Sequence, residues 1–486
     1  MSLQRLTAQT GRQESRRHNM ADREDERSAI PGSAATGPAA LHRGSLLRIL
    51  GTGFGIAVTI GATIGGSILL TPAQVAAQLP SPYLYMGAWL IGGLYALLCA
   101  TAFAELGTML PRSGGLYVFA HRALGDYAGF VVGWMDWLQS CGTIGTAALL
   151  LGNLAAGLFA ALAGANGAVS AAAVILFGLL QWAGIRWGSR AQELASLLKV
   201  LVLVVLGVGA FALGGQVAGA ASAALPTPAG LSLLAAMVLA LQVVIYVYDG
   251  YYGVVYFGEE VRAPERDIPR SMFGSVFLTI GLYLFINLAY LYVLPMVRMA
   301  AEESVGGAVA QVVFGASGEM IIGVMTMVIL VGSINAYSLS GPRILLAMSW
   351  DGLFAQRAVQ INQRGTPTVT LAMSIAVSLL FVSSGTFQKA IAILTFLIVV
   401  NYVLTFLSVF VLRHDEPDAR RPYRAWGHPW STGLALLGAV AFLVGAVVSD
   451  TRNSAYALLA LAASYPAFLL TRRLVRSRPA EESSHA

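Results

Sequence analysis

Gly61-Ala62-Thr63-Ile64-Gly65-Gly66-Ser67-Ile68 and Tyr246-Val247-Tyr248-Asp249-Gly250-Tyr251-Tyr252-Gly253 each interrupt a long apolar run. The first sets three glycines within six residues at the middle of the stretch 51–79. The second sets an aspartate beside a glycine inside the stretch 229–260. Glycine costs about 1 kcal/mol relative to alanine in a helix interior. A carboxylate within a bilayer is expensive and usually marks a functional place. Both stretches therefore predict helices that unwind partway along.

The sequence around them is that of a membrane protein. Of 486 residues, 57% are hydrophobic and 11% charged, against about 25% charged in soluble proteins. Mean hydropathy is +0.70. This composition excludes an ordinary soluble enzyme. After a polar tail come twelve apolar segments, at 51–79, 83–110, 126–156, 167–185, 190–214, 229–260, 271–296, 316–342, 367–384, 389–412, 430–449 and 453–472. Each is long and apolar enough to cross a hydrocarbon core about 30 Å thick, and in lipid a helix satisfies its own backbone. The expectation is an all-α polytopic membrane protein of twelve transmembrane helices. The tail, residues 1–44, is rich in Arg, Glu and Ser and reads as disordered. It lacks the charged start, short apolar core and cleavage site of a signal peptide.

Basic residues orient the spans. Fourteen arginines, from Arg112 and Arg122 to Arg421 and Arg424, fall in the loops after even-numbered spans. The opposite loops hold only Arg298, Lys389 and Arg452. The bias places both termini in the cytoplasm. The net charge of +6 is carried by arginine, since Lys199 and Lys389 are the only lysines, and a chain this poor in charge offers no basic groove to nucleic acid. Cys99 and Cys141 lie in apolar stretches and read as small core residues. The six histidines lie in tails or loops. No metal site, no cofactor and no intramembrane histidine relay is expected.

Spans 1 and 6, which carry the interruptions, head two blocks of five spans and run in opposite directions. Matched breaks in inverted halves point to a secondary-transport site at mid-bilayer. Unwinding frees main-chain N–H and C=O groups, and the start of the following half-helix carries positive partial charge. The N–H groups of Gly65, Gly66 and Ser67 would bind a carboxylate. The carbonyls of Thr63, Tyr246 and Asp249 would face an ammonium group. An α-amino acid carries both groups on one carbon. The chain divides accordingly into a cytoplasmic tail (1–44), a first inverted repeat (45–214), a second (215–412), two further helices (413–472) and a C-terminal tail (473–486).

Three stretches carry a family resemblance. Gly61 to Leu69 resembles the first-helix signature of the amino acid–polyamine–organocation transporters. Ala104 to Asp126 (AELGTMLPRSGGLYVFAHRALGD) is similar to the loop after their second helix, and Tyr248 to Arg270 (YDGYYGVVYFGEEVRAPERDIPR) to their sixth helix and the loop beyond. The likeness spans about residues 48–472 and is nearest to bacterial amino acid permeases related to the L-type transporters. It implies a LeuT-type fold of five-plus-five inverted repeats with two additional helices, alternating access, no nucleotide hydrolysis and a place in the cell inner membrane. It maps a carboxylate-binding turn onto Gly65, Gly66 and Ser67 beside Ile64, although family members commonly read Gly-Ser-Gly where this chain reads Gly-Gly-Ser. It maps an aromatic lid onto Tyr246. Tyr248 and Gly250 complete the substrate-binding expectation.

Lys199 stands nine residues past Arg190, roughly 13 Å deeper along a helix rising about 1.5 Å per residue, too far for easy snorkelling. It must find carbonyl or carboxylate partners, or lose its charge. Gln192-Glu193-Leu194 followed by Ser196 and Lys199 is similar to family members in which a lysine replaces the sodium ion of sodium-dependent relatives. Sodium-independent exchange or proton coupling is then implied. Lys199 also suits a plain tether between helix 5 and the broken helix 1. Asp249 would select a cationic amino acid or polyamine if it faces the cavity, and a neutral one if it pairs elsewhere; neutral or broadly accepted amino acids are favoured. Glu105 should pair with loop arginines. Asp136, flanked by Trp134 and Trp137, has an interfacial pattern. Glu259 and Glu260 should form a solvated inner rim or a gate, and the arginines at 420–424 and 472–478 should anchor the membrane surface. The partners expected are an amino acid and the bilayer, with no obligate protein partner. A membrane-embedded enzyme would need a nucleophile with its base or a metal cluster at one depth, which the spans lack. A transporter-like sensor remains a rival on sequence grounds.

Overall fold

The computed structural model describes residues 45–215, 228–384, 387–449 and 451–476. The first interrupted span is α1 (Thr52–Thr63) and α2 (Ser67–Gln78), followed by α3 (Pro82–Met109), a short α4 (Leu116–Leu124) and α5 (Asp126–Leu158). α6 (Asn166–Trp182) and α7 (Ile185–Leu213) complete the first block. The second block holds α8 (Leu231–Val247), α9 (Pro264–Val293), two short helices α10 (Met296–Ala301) and α11 (Val305–Phe314), α12 (Gly318–Trp350), α13 (Thr368–Ser384) and α14 (Phe387–Asp415). α15 (Trp430–Ser449) and α16 (Thr451–Arg476) close the described chain.

Each expected span contains a helix. Among the described residues eight helices are long and apolar enough to cross a membrane, or nine when α1 and α2, bent by 51° at their junction, count as one broken span. The apolar helices α6, α8 and α13 stop at 17 residues each. Corresponding members of the two blocks pack on one another: α3 on α9, α5 on α12, α6 on α13. α15 and α16 have 22% and 18% of their spans buried, against 39–56% for the other long helices, and pack on α14 outside this core.

The second interrupted span breaks within Tyr246–Gly253, as expected, but no α-helix resumes before 260. α8 ends at Val247, and turns with one short 3-10 helix, Gly253–Tyr256, lead to α9. Gly250 adopts φ +98°, a conformation that ends a helix and that only glycine takes without strain. Pro264 opens α9 at its first position, where a missing N–H costs no hydrogen bond, with Glu265 and Asp267 in the first turn.

The arginine-rich end is closed by buried polar contacts. Glu105 accepts from Arg413 at 2.8 and 2.6 Å and from the Ala425 N–H at 2.6 Å, the loop pairing expected of it. Glu260 is fully buried and bonded to Arg343 Nη2 at 2.8 Å, so it belongs to no solvated rim. The Arg343 guanidinium also lies 4.5 Å over the Phe257 ring. Arg421, expected at the membrane surface, turns inward and donates to the carbonyls of Leu412, Glu416, Pro417 and Ala419. The tail 1–44, and most of 473–486 with the last of the arginines at 472–478, lie outside the described residues.

Candidate functional site

The two breaks meet. A Cβ on Gly250 would stand 2.8 Å from the carbonyl carbon of Ala62 and 2.9 Å from the nitrogen of Thr63. The second break is thus pressed against the last turn of α1. From α9 the Tyr283 hydroxyl lies 3.3 Å from the carbonyls of both Thr63 and Val247, one group shared between the two helix ends.

The first break falls at Ile64, Gly65 and Gly66. In an uninterrupted helix the Gly61 carbonyl would accept from Gly65 and that of Ile64 from Ile68. Lys199 replaces those donors: its Nζ lies 2.8 Å from the Gly61 carbonyl, 2.7 Å from that of Ile64 and 2.9 Å from Ser333 Oγ on α12. Lys199 is fully buried. A Cβ on Gly332 would come within 2.4 Å of its Cε, so glycine there makes room for the stem. The Lys199 amine sits at the carbonyl end of α1, where the helix dipole favours a positive group.

Beyond Lys199, Gly65, Gly66 and Ser67 are half-buried at the start of α2. A Cβ on Gly66 would meet nothing within 4 Å, so this turn borders open space. The first N–H groups of a helix have no partner within it, and such a helix start can bind an anion.

The other expected residues spread around this point. Tyr246 is 43% exposed at the end of α8. The Tyr246 carbonyl accepts from the Asp249 N–H at 3.3 Å. Tyr248 is buried in an aromatic cluster with Trp89 and Tyr283, at ring distances of 6.3 and 5.0 Å. Asp249 is not among the Lys199 partners. It accepts from the Tyr402 hydroxyl and lines a narrow cleft with Tyr95, Cys99, Tyr246, Tyr251 and Phe442. Asp136 is 2% exposed and accepts from the Tyr256 hydroxyl at 2.8 and 2.9 Å, which replaces its expected interfacial place. No group of three or more metal-ligating side chains occurs among the described residues.

Sequence reasoning missed Tyr283, Ser333, Tyr402 and the Asp136–Tyr256 pair. Gly332-Ser333 inside an apolar span was a usable signal. A tyrosine within an apolar helix, such as Tyr283, offered none, because packing and bonding tyrosines look alike in sequence.

These features have counterparts in known proteins. The model of the amino acid permease family matches residues 55–464. The chain belongs to that family. It is 27% identical to the serine/threonine exchanger SteT of Bacillus subtilis over 428 residues, 87% of this chain and 96% of that protein. It is 23% identical over 411 residues to the mouse b(0,+)-type amino acid transporter 1, covering 83% and 82% of the two chains. It is 26% identical over 385 residues to the rabbit large neutral amino acids transporter small subunit 2, covering 76% and 70%. This permease is therefore a multi-pass membrane protein of amino acid transport, with an amino acid as its small-molecule substrate, and is a transporter, not an enzyme.

Proposed function

We propose that the permease is a sodium-independent secondary transporter that holds its amino acid between the two breaks and works by alternating access. The Lys199 ammonium on the Gly61 and Ile64 carbonyls carries this reading. A fixed positive charge at that place supplies what a bound cation would, and leaves no need for sodium. The free turn at Gly65, Gly66 and Ser67 would take the substrate carboxylate, Thr63 and the Tyr246–Gly250 segment would surround its ammonium, and Tyr246 would close over it. The similarity to a serine/threonine exchanger favours exchange of neutral amino acids. The bias of arginines supports cytoplasmic termini in an inner membrane, and the packing of α3 on α9 and α5 on α12 supports the division into repeats at 45–214 and 215–412. The permease is taken to work without a protein partner.

Counterflow in proteoliposomes tests the reading. Labelled serine, threonine and larger neutral amino acids should enter against an internal unlabelled pool, with the same rate in sodium and in choline buffers. A sodium requirement would overturn it.

Asp249 supports a second reading. It has no basic partner in any ion pair among the described residues and lines the aromatic cleft. A cationic amino acid or polyamine could place its second ammonium there. Counterflow of arginine or a polyamine that Asp249→Asn abolishes, with neutral substrates unaffected, would establish it. A sensor without transport would show binding in a thermal-shift panel and no counterflow.

A further inference from the structure

Gln192, Ser196 and Lys199 lie on one face of α7, spaced by four and three residues. They reach the carbonyls of Ala57, Gly61 and Ile64, spaced identically on α1. Gln192 Nε2 donates to Ala57 at 3.3 Å, and Ser196 Oγ to the same carbonyl at 2.6 Å. The row continues away from α1. Gln192 Oε1 accepts from Asn335 Nδ2 on α12 at 2.8 Å, and Asn335 Oδ1 accepts from Gln181 Nε2 on α6 at 2.7 Å. The Gln181 carbonyl accepts from Thr366 Oγ1 at 2.8 Å, just before α13. Gln181, Gln192, Ser196, Asn335 and Thr366 are all buried. Glycines leave the amides room: a Cβ on Gly61 would lie 1.8 Å from Gln192 Nε2, and one on Gly188 2.0 Å from Gln181 Oε1.

Buried amide chains are hard to justify as packing, because an apolar core is no less stable and carries no risk of an unpaired group. This chain is also one-sided. It grips α1, the half-helix before the break, and none of its bonds reaches α2. An interface of amides and carbonyls has one property an apolar interface lacks: when it parts, water replaces its hydrogen bonds, so opening exposes little apolar surface.

We propose that the Gln181–Asn335–Gln192–Ser196 ladder is a latch on α1, and that its release sets how readily the site opens at the arginine-rich end. Asn335 and Gln181 are then positioning residues that never touch substrate. The proposal rests on the alternating-access reading above.

The test uses the full chain in proteoliposomes with Cys99 and Cys141 replaced by serine. A reporter cysteine replaces Val58, which is buried on α1, or Ala88, which is buried on α3. Labelling by a membrane-impermeant maleimide is timed with Asn335→Leu and with Gln181→Leu. Losing one or two buried hydrogen bonds should speed labelling at Val58→Cys by about tenfold and leave Ala88→Cys unchanged. Amino acid binding, read by thermal shift in the same variants, should persist while turnover changes. Unchanged labelling at Val58→Cys in the folded variants would overturn the latch, as would equal acceleration at both reporters, which marks general loosening. Absence of amino acid binding in the parent protein would instead count against the transport reading, since the labelling rates do not depend on substrate.

Discussion

Gly250 and Thr63 belong to different halves of the chain, yet their backbones touch so closely that no side chain fits between them. A Cβ on Gly250 would stand 2.9 Å from the Thr63 nitrogen, and φ at Gly250 is +98°. Gly250→Ala should therefore destabilise the protein by about 2 kcal/mol or more, from backbone strain and the enforced separation of the breaks. Gly66→Ala should behave differently, because its Cβ would enter open space at φ −64°. It should leave stability nearly unchanged and weaken amino acid binding. Thermal unfolding and ligand-induced shifts of the two variants, measured side by side, check both statements.

Lys199→Ala removes the donor from two buried carbonyls and Ser333. A hydrogen bond to a charged group contributes about 1.5–3 kcal/mol, so transport should fall at least about tenfold while the protein still inserts and purifies. Uptake like that of the parent protein would remove the lysine from the mechanism.

Glu260 and Arg343 form a buried pair, 0% and 4% exposed at their side chains. Removing one partner strands the other charge, at a cost of about 3–5 kcal/mol. Arg343→Met and Glu260→Gln should each lower the melting temperature sharply. The double variant should recover part of the loss, because no uncompensated charge then remains. Additive losses in the cycle would show that the two groups do not act as a pair.

One polar cluster, whose titrating groups His121 and Asp351 lie outside the membrane-spanning helices, makes stability depend on pH. His121 lies 3.4 Å from Asp351 and 3.2 Å from Asp126, and stacks on Tyr117, whose hydroxyl donates to Asp351 at 2.9 Å. Hydrogen bonding to Asp351, opposed by partial burial, raises the His121 pKa above 6.5. Burial pushes Asp351 up, but bonds from His121 and Arg112 outweigh it and hold the carboxyl at about 2. A raised histidine stabilises fully below its unfolded value and loses that contribution as pH rises through the folded one. The lowered aspartate stabilises above its ordinary value of 3.8 and loses that contribution as pH falls toward 2. Melting temperature should thus be highest between about pH 4 and 6.5 as far as this cluster decides it. His121→Gln should flatten the decline on the alkaline side, which a melting series against pH reads directly.

The membrane class, the places of the helices and the two breaks were legible in the sequence, because each depends on local properties: apolar length, the poor helix propensity of Gly65-Gly66, the conformational freedom of Gly250. The depth of Lys199 was legible too, since distance along a helix follows from residue count. Partners were not. Glu260 and Arg421 looked like surface charges in Arg-rich loops, and Asp136 like an interfacial residue between tryptophans. Their burial follows from which loops fold together, a matter of contacts across 83 residues for Arg343 with Glu260 and 120 for Tyr256 with Asp136.

Sequence alone determined that this chain crosses a membrane with two unwound helices and one deep lysine, because lipid leaves a backbone few choices and glycine and charge stand out against it. Only the tertiary structure decided what the lysine holds, where Asp249 turns and how Gln192, Ser196 and Lys199 align with Ala57, Gly61 and Ile64. Hydrogen-bond partners 134–139 residues apart are chosen by helix packing, which no local pattern encodes.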